Sequence, residues 1–156
     1  MTANVDAGAK APAFRLPSTE GEVTLDGLLA GGRRLVLAFY FEDGTPSCET
    51  EVRMLADAHE MLTEFGAQVL AVSADSVESH GAFVERLGGV PFPLASDDDL
   101  AVARAYDVVD EGDPRRSRRA AFVIDSDGTV LLALPHFQPN NVSHFEAIFL
   151  LLGAET

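Results

Sequence analysis

"RRLVLAFYFEDGTPSCETE", residues 33–51, changes character halfway along. Through Phe41 it is almost wholly apolar and rich in β-prone side chains, the pattern of a central strand covered on both faces. From Pro46 onward the period shifts: Val52, Leu55, Leu62 and Phe65 fall near one helical face, and Gly66 is the stop. The stretch predicts strand, loop, helix. Thr45 suits the cap, and Pro46 suits the first helical position, where a missing amide proton costs nothing. Cys48 then lies in the first helical turn.

The flanks extend the same pattern. Before the strand, Phe14 and Leu16 and then Val23 and Leu25 alternate about Glu20-Gly21, which reads as a short hairpin. After the helix, "QVLAVSA" (68–74) reads as a second buried strand and "SVESHGAFVERLGG" (76–89) as a second helix, so parallel strands joined by a helix are expected. "VPFPLASDDD" is read as a loop ahead of a short helix from Leu100 to Tyr106, with the acids of "SDDD" (96–99) at its start. "RAAFVIDSDGTVLLALP" gives two strands about an Asp-Gly turn. "DSDG" (125–128) resembles a calcium loop only at its start, because Val130 and Leu132 occupy later ligand positions. In "SHFEAIFLLLG", Ser143 and Glu146 fit a capping box and Phe145, Ile148, Phe149 and Leu152 form an apolar stripe. One three-layer α/β domain with a mixed sheet, spanning residues 1–156, is expected.

With 156 residues, 47% of them hydrophobic, the chain can bury a sizeable core without disulfide or metal staples. Its apolar runs are too short to span a bilayer, and "MTANVDAGAKAPAF" lacks the basic and apolar regions of a secretory leader, so a reduced cytoplasmic setting is expected. The net charge of −14, with Lys10 as the sole lysine, disfavours nucleic-acid partners. "RRSRR" (115–119) does not reverse that. Arg115, Arg116 and Arg118 read as a solvated loop balancing "DVVDEGD", with Arg119 opening a strand.

Cys48 is the only cysteine, which excludes an internal disulfide and leaves a small buried hydrophobe, a metal ligand, a partner-linking thiol or a nucleophile. Free N–H groups and the positive end of the helix dipole favour a thiolate in the first turn, and the thiolate is the reactive form. The Thr45 hydroxyl is expected to point toward that turn. A lone cysteine is most often a core residue. Against this stand Pro46, Ser47, Glu49, Thr50 and Glu51, neighbours unlike those of an apolar pocket, so placement favours a reactive thiol. Zinc is disfavoured, since no second cysteine exists and His59, His80, His136 and His144 show no ligand spacing.

Taken together, "AGAKAPAFRLPSTEGEVTLDGLLAGGRRLVLAFYFEDGTPSCETE" and "RAAFVIDSDGTV" resemble the peroxiredoxins, especially the bacterioferritin-comigratory or Q-type branch. The shared pattern is Ala-Pro-x-Phe-x-Leu, a buried strand ending Phe-Tyr, and Thr-Pro-x-Cys. The resemblance implies a thioredoxin-like fold and thiol-dependent reduction of hydrogen peroxide or organic hydroperoxides, with no cofactor. It matches Cys48 to the peroxidatic cysteine, Thr45 to the threonine that contacts it, and Arg119 to the arginine that completes the site. Two positions depart from the family: Phe41 stands where a proline usually opens the motif, and Arg53 where some relatives carry a resolving cysteine. The one-cysteine type is therefore implied, with the Cys48 sulfenic acid reduced by an outside thiol such as thioredoxin, glutaredoxin or a low-molecular-weight thiol, in a monomer or homodimer. Glu51, one turn beyond Cys48, reads equally as a solvated helix residue or as a hydrogen-bonding partner near the site. Competing readings are a peroxide-sensing redox module and an inactive thioredoxin-fold interaction protein.

Overall fold

A computed structural model of the chain describes residues 5–138 and 141–154. At its centre runs β3 (Arg34–Phe39), and the alternation of a strand divides its apolar residues between two faces. Leu35, Leu37 and Phe39 enter one core, while Val36, Ala38 and Tyr40, just past the strand, enter the other. All six are 0% exposed, and full burial of each large aliphatic side chain contributes about 1.5–3 kcal/mol. That two-sided burial is why the run carries almost no polar residue.

The neighbours of β3 divide in the same way. On one side β4 (Ala67–Ser73) pairs with it in parallel, Val36 opposite Val69. On the other, β6 (Ala120–Ile124) pairs antiparallel, Ala120 opposite Phe39, and β7 (Val130–Leu134) continues that edge. The hairpin of β1 (Arg15–Ser18) and β2 (Gly21–Thr24) joins the sheet through β5 (Leu94–Ser96), which is parallel to β4. The order is β2-β1-β5-β4-β3-β6-β7. Helices α1 (Leu25–Leu29) and α4 (Ala101–Ala105) cover one face, and α2 (Pro46–Glu64), α3 (Val77–Arg86) and α5 (Val142–Ala154) the other. This is the expected mixed sheet between two helical layers.

Local chemistry explains where the elements differ from the sequence reading. The stretch that reads as a loop contains β5, whose three residues follow Pro93 and are all buried beside β4. Helix α1 was not anticipated; Thr24 caps it by accepting from Gly27 N at 3.0 Å. The capping box at Ser143 and Glu146 does not form as read, because α5 begins at Val142 and Asn141 Oδ1 accepts from Ser143 N at 3.0 Å. Within the stripe of α5, Ile148 and Leu152 are buried, and the Phe145 side chain lies outside the described residues. "SDDD" does open α4: Asp97 accepts from the N–H groups of Val102 and Ala103 at 3.1 and 2.8 Å. "DSDG" is a turn, with Gly128 at φ 90° and Asp127 accepting from Thr129 N at 2.9 Å. Among the described residues, no helix is long and apolar enough to cross a membrane.

Candidate active site

The segment between β3 and α2 delivers Cys48 to the carboxyl ends of the parallel strands, where open α/β sheets place their sites. Thr45 takes an extended conformation, φ −72° and ψ 144°, and Pro46 opens the helix. Cys48 is 0% exposed and shares its helical face with Val52 and Leu55. The polar neighbours along the chain do not surround the sulfur; the sheet-facing side of α2 does. Phe41 N donates to Cys48 Sγ at 3.2 Å. The Thr45 hydroxyl does not turn toward the sulfur as expected. It donates instead to the Glu42 carbonyl at 3.1 Å and makes no cap bond.

Glu51 resolves against the solvated alternative, since it is 0% exposed. Neither of its carboxyl oxygens has a hydrogen-bond partner among the described residues. Burial first, and then the adjacent Cys48 sulfur, push its carboxyl well above the usual range, while Arg119 draws it down less strongly. A group whose folded value is raised contributes stability that is present below its unfolded value, about 4.3, and is lost as pH rises through the folded value. Glu51→Gln is therefore expected to melt above the wild type at about pH 8, with the gap closing toward about pH 4 in thermal denaturation. A gap independent of pH would show that Glu51 ionises freely in the fold.

Arg119 directly precedes β6, and the pairing of Ala120 with Phe39 brings it to the end of β3 from which the Cys48 loop departs. Its carbonyl accepts from Phe137 N at 3.0 Å, and its Nε is buried with no partner among the described residues. It lines a cavity of about 310 Å³ with Phe41 and Phe137 as apolar walls and Asp110, Glu111 and His136 among the polar ones. Phe41 belongs both to that wall and to the sulfur's contacts. Glu51 thus lies within electrostatic reach of both the Cys48 sulfur and the Arg119 guanidinium. Thr45 lies in the same loop, with its hydroxyl donating to the Glu42 carbonyl.

Behind the loop lies a polar network that local sequence patterns did not reveal. His80 is fully buried, with Nδ1 at 2.9 and 3.0 Å from the two Asp43 carboxylate oxygens and Nε2 at 2.9 Å from the Ala95 carbonyl oxygen. The Tyr40 and Ser79 hydroxyls donate to Asp43 at 2.5 and 2.7 Å. Asp75 accepts from Asp43 N at 2.9 Å, from Ser73 Oγ at 2.7 Å and from Arg116 Nη1 at 2.8 Å. Arg116 also reaches Glu42 at 3.5 Å, so it is not a solvated loop residue. Its 26% exposed side chain ties the loop before β6 to the loop before α2. Asp43, Asp75 and His80 carry ligand-type atoms within 4.8 Å of one another, but hydrogen bonds already engage all of those atoms and Arg116 supplies the positive charge. The cluster is an ionic network.

Known proteins share this arrangement of strand, loop and helix. The pattern of the AhpC/TSA family matches residues 7–133. The chain is 35% identical over 138 residues to a putative peroxiredoxin bcp of Coxiella burnetii, covering 85% of this chain and 89% of that one. It is 36% identical over 132 residues to peroxiredoxin Bcp of Bacillus subtilis, covering 81% and 83%. A crystal structure of peroxidoxin BcpB from Mycobacterium tuberculosis superposes with a TM-score of 0.86 at 28% identity, over 98% of this chain and 99% of that one. The fold is accordingly the thioredoxin-like one of these proteins, and the chain belongs to the AhpC/TSA family, among its Bcp-type peroxiredoxins.

Proposed function

We infer that the chain is a thiol-dependent peroxidase of the one-cysteine type, acting on hydrogen peroxide or organic hydroperoxides. The observation that carries this reading is the chain's single cysteine at the start of α2, hydrogen-bonded by Phe41, which walls the cavity that Arg119 also lines, in a chain of Bcp type. The Cys48 thiolate attacks the terminal oxygen of the peroxide. The S–O bond forms as the O–O bond breaks, sulfur is oxidised by two electrons to the sulfenic acid, and the departing oxygen takes a proton and leaves as alcohol or water. Arg119 is assigned to the polarised oxygens, where a fixed, permanently charged donor lowers the barrier. Thr45 is assigned to holding the loop through Glu42 rather than to contact with sulfur. The sulfenic acid then condenses with an external thiol, releasing water, and a second thiol displaces Cys48 to give back the reduced enzyme and a disulfide. A reducing compartment such as the cytoplasm supplies those thiols.

Arg53 stands five residues beyond Cys48, is exposed and pairs with Glu49 at 3.1 Å, so no second sulfur meets the oxidised one. Mass spectrometry after one equivalent of peroxide is expected to show one added oxygen on Cys48. Peroxide consumption is expected to stop after a single turnover until a thiol is added. Sustained turnover with no thiol present would refute the one-cysteine mechanism. A sensing role gains support only if thiols fail to restore the reduced form at a catalytic rate.

A further inference from the structure

We propose that the backbone N–H of Phe41 is a hydrogen-bond donor to the Cys48 thiolate, a contact that the proline usual at this position cannot make. The proposal rests on the reading of Cys48 as the reacting sulfur and adds a main-chain group that touches it. Phe41 N lies 3.2 Å from Sγ, and Cys48 is 0% exposed. With water excluded, the charge on sulfur depends on such donors, and bonds to an ionised acceptor are the strong ones. Proline has no N–H, so the same backbone in a relative with proline leaves that side of the sulfur without a donor. The departure at Phe41 thus places a donor on that side of the sulfur.

The surrounding contacts fix the direction of this N–H. Tyr40 is held at its N–H by the Val72 carbonyl at 2.9 Å, at its carbonyl by the Ser117 hydroxyl at 2.9 Å and at its own hydroxyl by Asp43. On the other side, Asp43 is held at its N–H by Asp75 and at its carboxylate by His80 and Ser79. Between two anchored residues, the Phe41 peptide cannot turn its N–H from the sulfur without breaking part of the network. Asp43 and His80 are therefore positioning residues for this donor.

The test compares Phe41→Pro, which deletes the donor, with Phe41→Ala, which removes the same ring but keeps the N–H. Cys48 alkylation by iodoacetamide needs only the thiolate and no peroxide, so its outcome is independent of whether the chain is a peroxidase. Near pH 6, Phe41→Ala is expected to alkylate about tenfold faster than Phe41→Pro, with the difference vanishing near pH 10. Equal rates in the two folded variants would overturn the proposal. Should the proline variant not fold, the wild-type protein decides: the Phe41 amide proton resonance is expected to shift as the thiol ionises, and to lose that pH dependence in Cys48→Ala. An amide resonance indifferent to the thiol's ionisation would overturn the proposal as well.

Discussion

Arg119→Ala is expected to slow oxidation of Cys48 by hydrogen peroxide about a hundredfold or more, while slowing alkylation by iodoacetamide far less. Both reactions consume the thiolate, but only the first develops charge on a departing oxygen. An arginine that merely steadied the sulfur would affect both alike. One that also meets the peroxide affects the first alone by the larger factor. Arg119 suits the second role because it lines the cavity and keeps a buried Nε without a partner among the described residues. Rates are compared at a pH where both variants are fully thiolate, and equal losses in the two reactions would remove Arg119 from the transition state. Arg115 is the proper control, because its side chain is 87% exposed and pairs with Asp113 at 3.0 Å. Arg116 is not a neutral control, since it holds Asp75 and Glu42.

The misreading of Arg116 shows where a single sequence stops being informative. Strand β3, helix α2 and the turn at Gly128 could be read because their signals are local: an apolar run, a change of period, a glycine where positive φ is needed. The bonds that define the network span long separations, Asp43 to Asp75 over 32 residues and Arg116 to Asp75 over 41. No spacing within the chain announces such contacts. The burial of Cys48 is a different case, because its signal was present: Cys48, Glu51, Val52 and Leu55 recur at helical spacing and all are buried. The surroundings of a helical side chain follow from positions three and four away, not from its chain neighbours. By the same spacing Glu51 lies on the covered side of α2. β5 escaped notice for want of length, since three residues after a proline hold no measurable period.

Asp43→Asn is expected to cost about 1–3 kcal/mol of stability at neutral pH, measured by urea denaturation, because buried donors lose the carboxylate they share. His80 has a polar partner at each ring nitrogen. Nε2 faces a carbonyl oxygen, and Nδ1 faces a carboxylate already accepting from Tyr40 and Ser79. The pair is buried, with side chains 0% and 7% exposed. Removing the carboxylate leaves the Tyr40 and Ser79 hydroxyls and His80 Nδ1 without the acceptor they share. Burial pushes Asp43 upward, yet bonds from His80 and Tyr40, the attraction of His80 and the bond from Ser79 together hold its carboxyl below the ordinary value. A depressed carboxyl contributes stability that is present above its unfolded value, about 3.9, and is lost as pH falls through the folded one. The difference between wild type and Asp43→Asn is therefore expected to shrink below about pH 4. A double-mutant cycle with His80→Gln is expected to return a coupling of about 0.5–3 kcal/mol, since the two residues share one contact. A loss under about 1 kcal/mol for Asp43→Asn, with no coupling, would mean that these contacts do not stabilise the fold and that the loop before Cys48 is held by its backbone alone.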